Sequence, residues 1–359
     1  MKVLIVKTSA LGDVVHALPV LAWIKGADPD AQIDWLVERS FATLLAGHPL
    51  IRCVHQVDTK HWRKEGVTAS LRGLKSLAGN LRNEAYDVAL DLQGNSKSGL
   101  LTLLSGARKR YGFARTGVRE WPALLATHVK VALTDAEHHV SERSLAVARA
   151  AFPDGEGAPL AGPLSAGAEQ RRNTEDMLQQ RGLGGRPLVV FHYGTTWVTK
   201  LWALENWCSL ARQMIDKNQV DILLTWGNDA EKAAAETIAS SVDGRAIVWP
   251  RGSLGDLVAL LERADLVVGC DTGPIHIAAA VGTATVSMYR VTDASRNGPR
   301  GENHQCLQVP LECAVCMRKH CPQDVECATA ISSEQVFEAV EKLLKEGERF
   351  AGRPQPDRI

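Results

Sequence analysis

Apolar residues follow two different patterns in the first 26 residues of the chain. Residues 3–6 form an unbroken apolar run, which is typical of a strand buried on both faces. Leu18, Leu21 and Ile24 then recur at the spacing of one helix face. A polar stretch that contains Gly12 separates the two patterns. The sequence therefore predicts a strand, a glycine-containing loop and an amphipathic helix.

The same alternation continues through the N-terminal half of the chain. Apolar runs predict three more strands, at 33–38, 53–58 and 86–94, and helical patterns lie between most of them. Strands that alternate with helices form a parallel sheet with helices on both faces. Ligands of such sheets bind beyond the carboxyl ends of the strands, so polar residues that directly follow a strand are the candidates for chemistry.

A change of composition marks the end of this half. Residues 151–187 are rich in glycine, proline and alanine, and within them RRNTEDMLQQRGL predicts a helix. The alternation then restarts, with strands predicted in PLVVFHYG, VDILLTWGN, RAIVWP, ADLVVGC and TATVSMYR. We therefore expect two doubly wound α/β domains, 1–160 and 187–345, with a connection at 161–186, a frayed tail at 346–359 and a ligand site in the cleft between the domains.

Composition and charge narrow the class of protein. The 359 residues carry 41 Lys and Arg against 41 Asp and Glu, and this zero net charge disfavours a nucleic-acid partner. No apolar window reaches the roughly 18 residues of a membrane-spanning helix. Lys7 and Asp13 interrupt the apolar N-terminus, which argues against a secretory signal, so we expect a cytoplasmic protein.

Asp13 lies in the loop Thr8-Ser9-Ala10-Leu11-Gly12-Asp13, between the first strand and the first helix. One interpretation is a helix N-cap, since aspartate accepts backbone N–H bonds at that position. The other is a general base that takes a proton from an attacking hydroxyl. Gly12 would allow a substrate to approach closely, and Ser9 adds a hydroxyl.

Two segments of the C-terminal half carry the features of an anion site. In HYGTTWVTKLW, Thr195, Thr196 and Lys200 follow a strand, and hydroxyl, backbone and ammonium donors ahead of a helix suit a phosphate. A helix start capped by Thr199 or Thr196, with a solvated lysine, is the alternative. The tryptophans of this segment, Trp197, Trp202 and Trp207, are expected to be packing residues.

The second segment is Asp271-Thr272-Gly273-Pro274, with His276 two residues later. It again reads as strand, tight turn and helix, and capping by Asp271 or Thr272 would explain it locally. A helix N-terminus at this place would also direct backbone N–H groups at a diphosphate oxygen or a sugar hydroxyl. A single histidine on an apolar helix is otherwise most often a core residue.

Basic residues gather in the N-terminal half, in a group of three with two later additions: Lys60, Arg63 and Lys64, then Lys97 and Arg119. Such a cluster is usually a solvated face, but it also suits a polyanionic substrate.

Four cysteines form a C-x2-C-x4-C-x5-C pattern, namely Cys313, Cys316, Cys321 and Cys327. A structural clip, either a zinc site or two disulfides, and four free thiols are about equally compatible with this spacing. A catalytic role is not expected.

Three segments together resemble the bacterial heptosyltransferases of the lipopolysaccharide inner core, glycosyltransferase family 9. They are KTSALGDVVHALPVL at 7–21, HYGTTWVTKLWALENW at 192–207 and DTGPIHIAAAVGTATVSMY at 271–289. The resemblance implies a GT-B fold, with two Rossmann-like doubly wound domains facing a cleft. It also implies inverting transfer of a heptose from ADP-L-glycero-D-manno-heptose to phosphorylated Kdo-lipid A, with no cofactor and no catalytic metal.

The resemblance also assigns roles to residues. Asp13 becomes the base, and Ser9, Gly12 and the five basic residues become acceptor contacts. The donor contacts are Thr195, Thr196, Lys200, Asp229 on the ribose, Gly252 at the adenine edge, Asp271, Thr272, Gly273 and His276. The family further implies transient contact with the inner face of the inner membrane. Two alternatives remain. The protein could be a transferase that uses another nucleotide sugar or a heptosyltransferase II-type acceptor, or it could bind a nucleotide sugar without turnover.

Overall fold

Two six-stranded parallel sheets organise the protein. The computed structural model describes residues 1–350, with the backbone alone at 60, 63 and 346–350. The described chain forms two compact units, one that ends at Leu164 and one that begins at Ser165. The tail predicted at 346–359 lies mostly outside the described residues, apart from the end of the last helix.

The strands of the first unit are β1 (Lys2–Val6), β2 (Gln32–Glu38), β3 (Cys53–Val57), β4 (Val88–Asp91), β5 (Lys109–Phe113) and β6 (Val129–Val131). All pair in parallel in the order β3-β2-β1-β4-β5-β6. The helices are α1 (Leu11–Val15), α2 (Pro19–Ala27), α3 (Ala42–Leu45), α4 (Thr59–Glu65), α5 (Val67–Asn83), α6 (Ser96–Leu104) and α7 (Val140–Ala151). Short 3-10 helices cover Arg39–Phe41, Trp121–Leu125 and Asp135–Glu137.

The strands of the second unit are β7 (Leu188–His192), β8 (Asp221–Thr225), β9 (Ala246–Val248), β10 (Leu266–Cys270), β11 (Ala284–Tyr289) and β12 (His304–Gln308). They are parallel in the order β12-β11-β10-β7-β8-β9. The helices are α8 (Ala168–Gln180), α9 (Leu204–Asn218), α10 (Asp229–Ser240), α11 (Leu254–Arg263), α12 (Gly273–Ala280), α13 (Ala294–Asn297), α14 (Asp324–Thr329) and α15 (Ser333–Phe350), with a 3-10 turn at Val198–Lys200.

Both sheets have the same doubly wound topology. Counted from the first strand of each unit, the order is 3-2-1-4-5-6 in both. Successive strands are added in one direction up to the third and in the opposite direction from the fourth, so the order reverses at β1/β4 and at β7/β10. Such a topological switch point leaves a crevice at the carboxyl ends of the strands, where ligands bind.

The central strands are apolar because both of their faces are covered by helices. β7 and β10 are buried along their whole length. Trp202 and Trp207 pack in the core of the second unit, which confirms the packing role predicted for them. The helix predicted between the two domains is α8, whose Arg171 forms an ion pair with Glu262 of α11. Among the residues described, no helix is both long and apolar enough to cross a bilayer.

Candidate active site

Asp13 lies at the carboxyl end of β1, at the β1/β4 switch point. It is the third residue of α1, and one of its carboxylate oxygens lies 2.8 Å from Nη2 of Arg119. The side chain of Asp13 is one-fifth exposed. The N-cap of α1 is Ala10, without a side-chain cap bond. The N-cap interpretation of Asp13 is therefore wrong, because the carboxylate is bound to a guanidinium instead.

Two cations control the charge state of Asp13. Burial alone would raise its pKa, but the charges of Lys7 and Arg119, together with the Arg119 hydrogen bond, lower the pKa to about 2. Lys7 is only 3% exposed, and its Nζ donates to the backbone oxygen of Leu92. Asp13 is thus ionised at neutral pH, as a proton acceptor must be.

Gln93 fixes the loop in which Asp13 lies. Its Oε1 accepts hydrogen bonds from the backbone N–H of Thr8, at 2.7 Å, and of Ser9, at 3.2 Å. Its amide nitrogen donates to Oγ of Ser9. The turn that carries Gln93 is held by Asp91, the last residue of β4, which accepts backbone N–H bonds from Gln93 and Gly94. The strand β4 therefore sets the position of the loop after β1.

The predicted acceptor residues lie on different elements of the first unit. Ser9 and Gly12 flank Asp13 on the same loop and helix, and Arg119 pairs with Asp13 directly. Lys97, in the first turn of α6, pairs with Glu38 at 2.9 Å. The other three predicted residues, Lys60, Arg63 and Lys64, belong to α4, and the side chain of Lys64 is exposed.

Lys200 lies at the second switch point, between β7 and β10. Its Nζ is 2.6 Å from Oδ2 of Asp271, and the two side chains are 14% and 7% exposed. Nε2 of His276 lies 3.3 Å from the other carboxylate oxygen of Asp271. Burial opposes the charge on Asp271, but His276 and Lys200 outweigh it and hold its pKa below the ordinary value. The solvated lysine of the alternative interpretation is therefore wrong.

The loops that carry this ion pair also carry hydroxyl and backbone donors. Oγ1 of Thr195 is buried and has no hydrogen-bond partner among the described residues, while Thr196 is exposed. Thr272 is the N-cap of α12, without a side-chain cap bond, and Gly273 is its first residue. The first N–H groups of a helix have no intrahelical partner, so this end of α12 can bind an anion. Capping by Asp271 or Thr272 side chains does not occur.

Trp197 differs from the two buried tryptophans. Its ring is partly exposed, and the ammonium nitrogens of Lys200 and Lys319 each lie 5.1 Å from its centroid. The prediction that Trp197 packs in the core is therefore wrong. Helix capping by Thr196 or Thr199 is wrong as well, because Trp197 is the N-cap of the 3-10 turn, without a side-chain cap bond, and Thr199 donates instead to the backbone oxygen of Arg318.

Glu231, rather than Asp229, approaches the loop that follows β7. Asp229 is the exposed first residue of α10. The carboxylate of Glu231 accepts the backbone N–H of Gly227 at 2.6 Å and lies so close to Gly194 that a Cβ there would collide with it. Glu231 was not predicted from the sequence, although its position one helical turn beyond the Trp226-Gly227 turn was a usable signal.

Gly252 immediately precedes Ser253, the N-cap of α11. A Cβ at Gly252 would lie 2.7 Å from Oδ2 of Asp256, so only glycine fits there without a shift of Asp256. Gly252 is exposed, and its backbone N–H and C=O are the polar groups that it can offer to a ligand.

The four clustered cysteines form neither kind of clip. All of them are free thiols, and no three His, Cys, Asp or Glu side chains among the described residues are placed to hold a metal ion. Arg290, which is 2% exposed, holds this segment instead: its Nε donates to Sγ of Cys327 at 3.4 Å and its Nη2 to Oδ1 of Asp324 at 2.6 Å. The zinc and disulfide interpretations are therefore corrected in favour of free thiols.

The fold agrees with comparisons to known proteins. A family model described as glycosyltransferase family 9 (heptosyltransferase) matches residues 74–325. Lipopolysaccharide heptosyltransferase 1 of Pseudomonas aeruginosa is 33% identical, over 89% of this chain and 87% of its own length. The protein of the same name from Escherichia coli K12 is 30% identical, over 87% and 95%.

Solved structures of heptosyltransferases have a similar fold. The E. coli heptosyltransferase WaaC with ADP-2-deoxy-2-fluoro heptose superposes with a TM-score of 0.73, at 27% identity, over 95% of this chain and 99% of its own. The E. coli ADP-heptose lps heptosyltransferase II, at 21% identity and a TM-score of 0.76 over 97% and 100% of the two chains, supports the fold alone. This chain belongs to glycosyltransferase family 9, the heptosyltransferases.

Proposed function

We propose that this enzyme transfers a heptose, with inversion, from ADP-L-glycero-D-manno-heptose to the Kdo-lipid A inner core of lipopolysaccharide. The observation that carries the proposal is the chemistry at the two switch points. An ionised carboxylate, Asp13, follows β1, and a buried cation, Lys200, follows β7. The names of the relatives with 30–33% identity support heptose as the sugar and lipopolysaccharide as the acceptor.

Asp13 is the proton acceptor in this proposal. The acceptor hydroxyl attacks the anomeric carbon from the face opposite the diphosphate, the bond to ADP breaks, and the hydroxyl proton passes to the Asp13 carboxylate. A carboxylate with a pKa of about 2 is a weak base, so the transfer follows bond formation, when the attacking oxygen has become acidic. Arg119 and Lys7 hold the carboxylate in its charged form.

Lys200 and its neighbours stabilise the leaving group. As the glycosidic bond breaks, negative charge develops on the phosphate oxygen of ADP, and preorganised donors at that place lower the barrier. The Nζ of Lys200, the unpartnered hydroxyl of Thr195, the exposed Thr196 and the N-terminal N–H groups of α12 supply those donors. Asp271 and His276 orient Lys200.

We assign the ribose contact to Glu231 and the adenine-edge contact to the backbone of Gly252. A carboxylate accepts two hydrogen bonds from a ribose diol, as acidic residues do in nucleotide-binding folds. Glu231 lies beside Gly194, at the start of the loop that holds Thr195, whereas Asp229 points to no described partner.

The acceptor is expected on the first unit. The helix α4 supplies Lys60, Arg63 and Lys64, and α6 supplies Lys97. A phosphorylated Kdo-lipid A is polyanionic, and cations on these helices complement it. Arg63→Glu should therefore raise the KM for the acceptor and leave the KM for the donor unchanged.

The reaction is proposed to need no divalent metal. Lys200 and the N-terminus of α12 can offset the diphosphate charge that a metal would otherwise offset. The triplet Asp28-Pro29-Asp30 resembles a metal–diphosphate bridge in sequence, but it precedes β2 and thus lies at the amino end of the strands. Asp28 there pairs with the N-terminal ammonium group at 3.6 Å.

The proposed location is the cytoplasm, with transient contact with the inner face of the inner membrane. Trp121 and Leu125 of the first unit are 69% and 76% exposed, and Leu100 and Leu103 of the adjoining α6 are nearly half exposed. Exposed apolar side chains grouped in this way favour an interfacial contact. Binding of the chain to anionic vesicles should fall when Trp121 and Leu125 are both changed to serine.

A screen of nucleotide sugars tests the donor class. ADP-heptose, ADP-glucose and UDP-glucose are compared for their effect on the thermal unfolding midpoint, because a ligand at 100 times its Kd adds about 2.7 kcal/mol of stability. The proposal predicts stabilisation by both ADP sugars and by ADP itself, and none by UDP-glucose. Stabilisation by the uridine compound alone would overturn the donor assignment.

A further inference from the structure

The segment 313–327, which carries the four cysteines, lies against the donor loop 195–202. Oγ1 of Thr199 donates to the backbone oxygen of Arg318 at 2.7 Å. The backbone N–H of Ala203, just after the loop, donates to the oxygen of Ala328, just after the segment. The segment therefore contacts the donor loop just before Lys200, and the residue after the segment contacts the residue after the loop.

Arg290 joins the segment to the loop. Its guanidinium donates to the backbone oxygen of Leu201, the residue after Lys200, and to both the backbone oxygen and the carboxylate of Asp324. The backbone oxygen of Arg290 in turn accepts the N–H of Val315 at 3.2 Å. A buried guanidinium with this many partners fixes the two pieces of chain relative to each other.

Lys319 is the cation that this arrangement brings to the donor loop. Its Nζ lies 5.1 Å from the centroid of the Trp197 ring, as does Nζ of Lys200. Because both nitrogens lie 5.1 Å from the same centroid, the distance between them is at most twice that value. Lys319 is exposed, and none of the carboxylates that the structure describes pairs with it.

The charges explain why a second cation matters. Lys200 forms its ion pair with Asp271 at 2.6 Å, so these two charges cancel before any ligand binds. A nucleoside diphosphate carries at least two negative charges and needs a site with a net positive charge. Lys319 supplies that charge, while the indole of Trp197 attracts both ammonium groups.

We propose that Lys319 is a donor-binding residue that contacts the diphosphate of the nucleotide sugar, and that the segment 313–327 serves to place it there. The inference rests on the proposed donor site at Lys200. It gives the cysteine-containing segment a role through its lysine and its packing, with no part for a metal or a disulfide.

Calorimetry with ADP and adenosine tests this inference. Lys319→Ala should weaken ADP binding on the order of tenfold, the effect of losing one hydrogen bond to a charged group, and should leave adenosine binding unchanged. Lys319→Arg should restore most of the ADP affinity. The matched control is Lys217→Ala, since the Nζ of Lys217 lies 4.8 Å from the Phe337 ring centroid, away from the donor loop, and this variant should bind ADP normally.

The outcomes separate this inference from the function on which it rests. If Lys200→Ala weakens ADP binding and Lys319→Ala does not, Lys319 has no part in the donor site and the inference is wrong. If neither variant changes ADP binding, the diphosphate lies elsewhere and the proposed donor site fails with it. An equal loss of ADP and adenosine affinity in Lys319→Ala would show a general distortion of the site and would also contradict a contact with the diphosphate.

Discussion

Nζ of Lys200 lies 2.6 Å from Oδ2 of Asp271, although the two residues are 71 positions apart. Lys200 follows β7 and Asp271 follows β10, so the pair bridges the switch point of the second sheet. The contact gives Lys200 one role, the neutralisation of a buried carboxylate, and the proposed function gives it a second, the binding of the donor diphosphate.

The two roles of Lys200 can be separated by a double variant. Lys200→Ala should destabilise the fold by on the order of 3 kcal/mol, since it leaves the buried Asp271 without its lysine partner, and should also weaken ADP binding. Adding Asp271→Asn should recover most of the stability, because the amide carries no charge, but should not recover the ADP affinity. Thermal unfolding and calorimetry measure the two effects. Full recovery of ADP affinity in the double variant would show that Lys200 acts only through the fold.

Arg119 should control the pH at which Asp13 is protonated. Its charge and hydrogen bond help to hold the pKa of Asp13 at about 2, so Arg119→Gln should raise this pKa. The pH profile of kcat/KM should then gain an acid limb at higher pH than in the unmodified enzyme, because protonated Asp13 cannot accept a proton. Arg115→Gln is the matched control, since Arg115 is exposed in the same loop. Identical profiles for all three proteins would remove Arg119 from this role.

Glu231 and Asp229 provide a paired test of the ribose contact. Glu231→Gln should weaken binding of ADP several-fold, because the amide accepts hydrogen bonds less strongly than a carboxylate. Asp229→Asn, two residues away on the same helix, should leave ADP binding unchanged. Calorimetry decides between them, and the reverse result would return the ribose contact to Asp229.

Removal of divalent metal should leave the transfer rate unchanged. The cationic groups around Lys200 offset the charge on the leaving diphosphate in this account. Rates are compared after treatment with EDTA and after addition of Mg²⁺ or Mn²⁺. A rate that disappears with EDTA and returns with either metal would contradict the proposal.

The central strands and the places of the site residues were predictable from the sequence. Strands such as β1 and β10 are continuous apolar runs because both faces are buried, and each is followed by a polar turn at the ligand-binding end. β5, β6 and β12 were not predicted, since Lys109–Phe113, Val129–Val131 and His304–Gln308 carry charged or polar side chains and lack a continuous apolar run. β12 is an edge strand, where such residues are tolerated.

The contacts between distant residues could not be predicted. Nothing in the local sequence of Lys200 indicates that Asp271 neutralises it, and the pairing of Asp13 with Arg119 spans 106 positions. Trp197 was predicted to be a packing residue because tryptophan is usually buried, whereas one of the two lysines beside its ring, Lys319, comes from the distant segment 313–327. The cysteine spacing left a clip and free thiols about equally compatible, because spacing alone does not show that Arg290 already holds the segment.

The most direct test of the account is heptose transfer by the purified enzyme. The chain is incubated with ADP-heptose and Kdo-lipid A, and the product is analysed by mass spectrometry and by the anomeric configuration of the new bond. The account predicts an acceptor that gains one heptose with inversion, and a loss of rate of about a hundred-fold or more in Asp13→Asn with unchanged donor binding. ADP-heptose binding without any product, or near-normal turnover in Asp13→Asn, would contradict it.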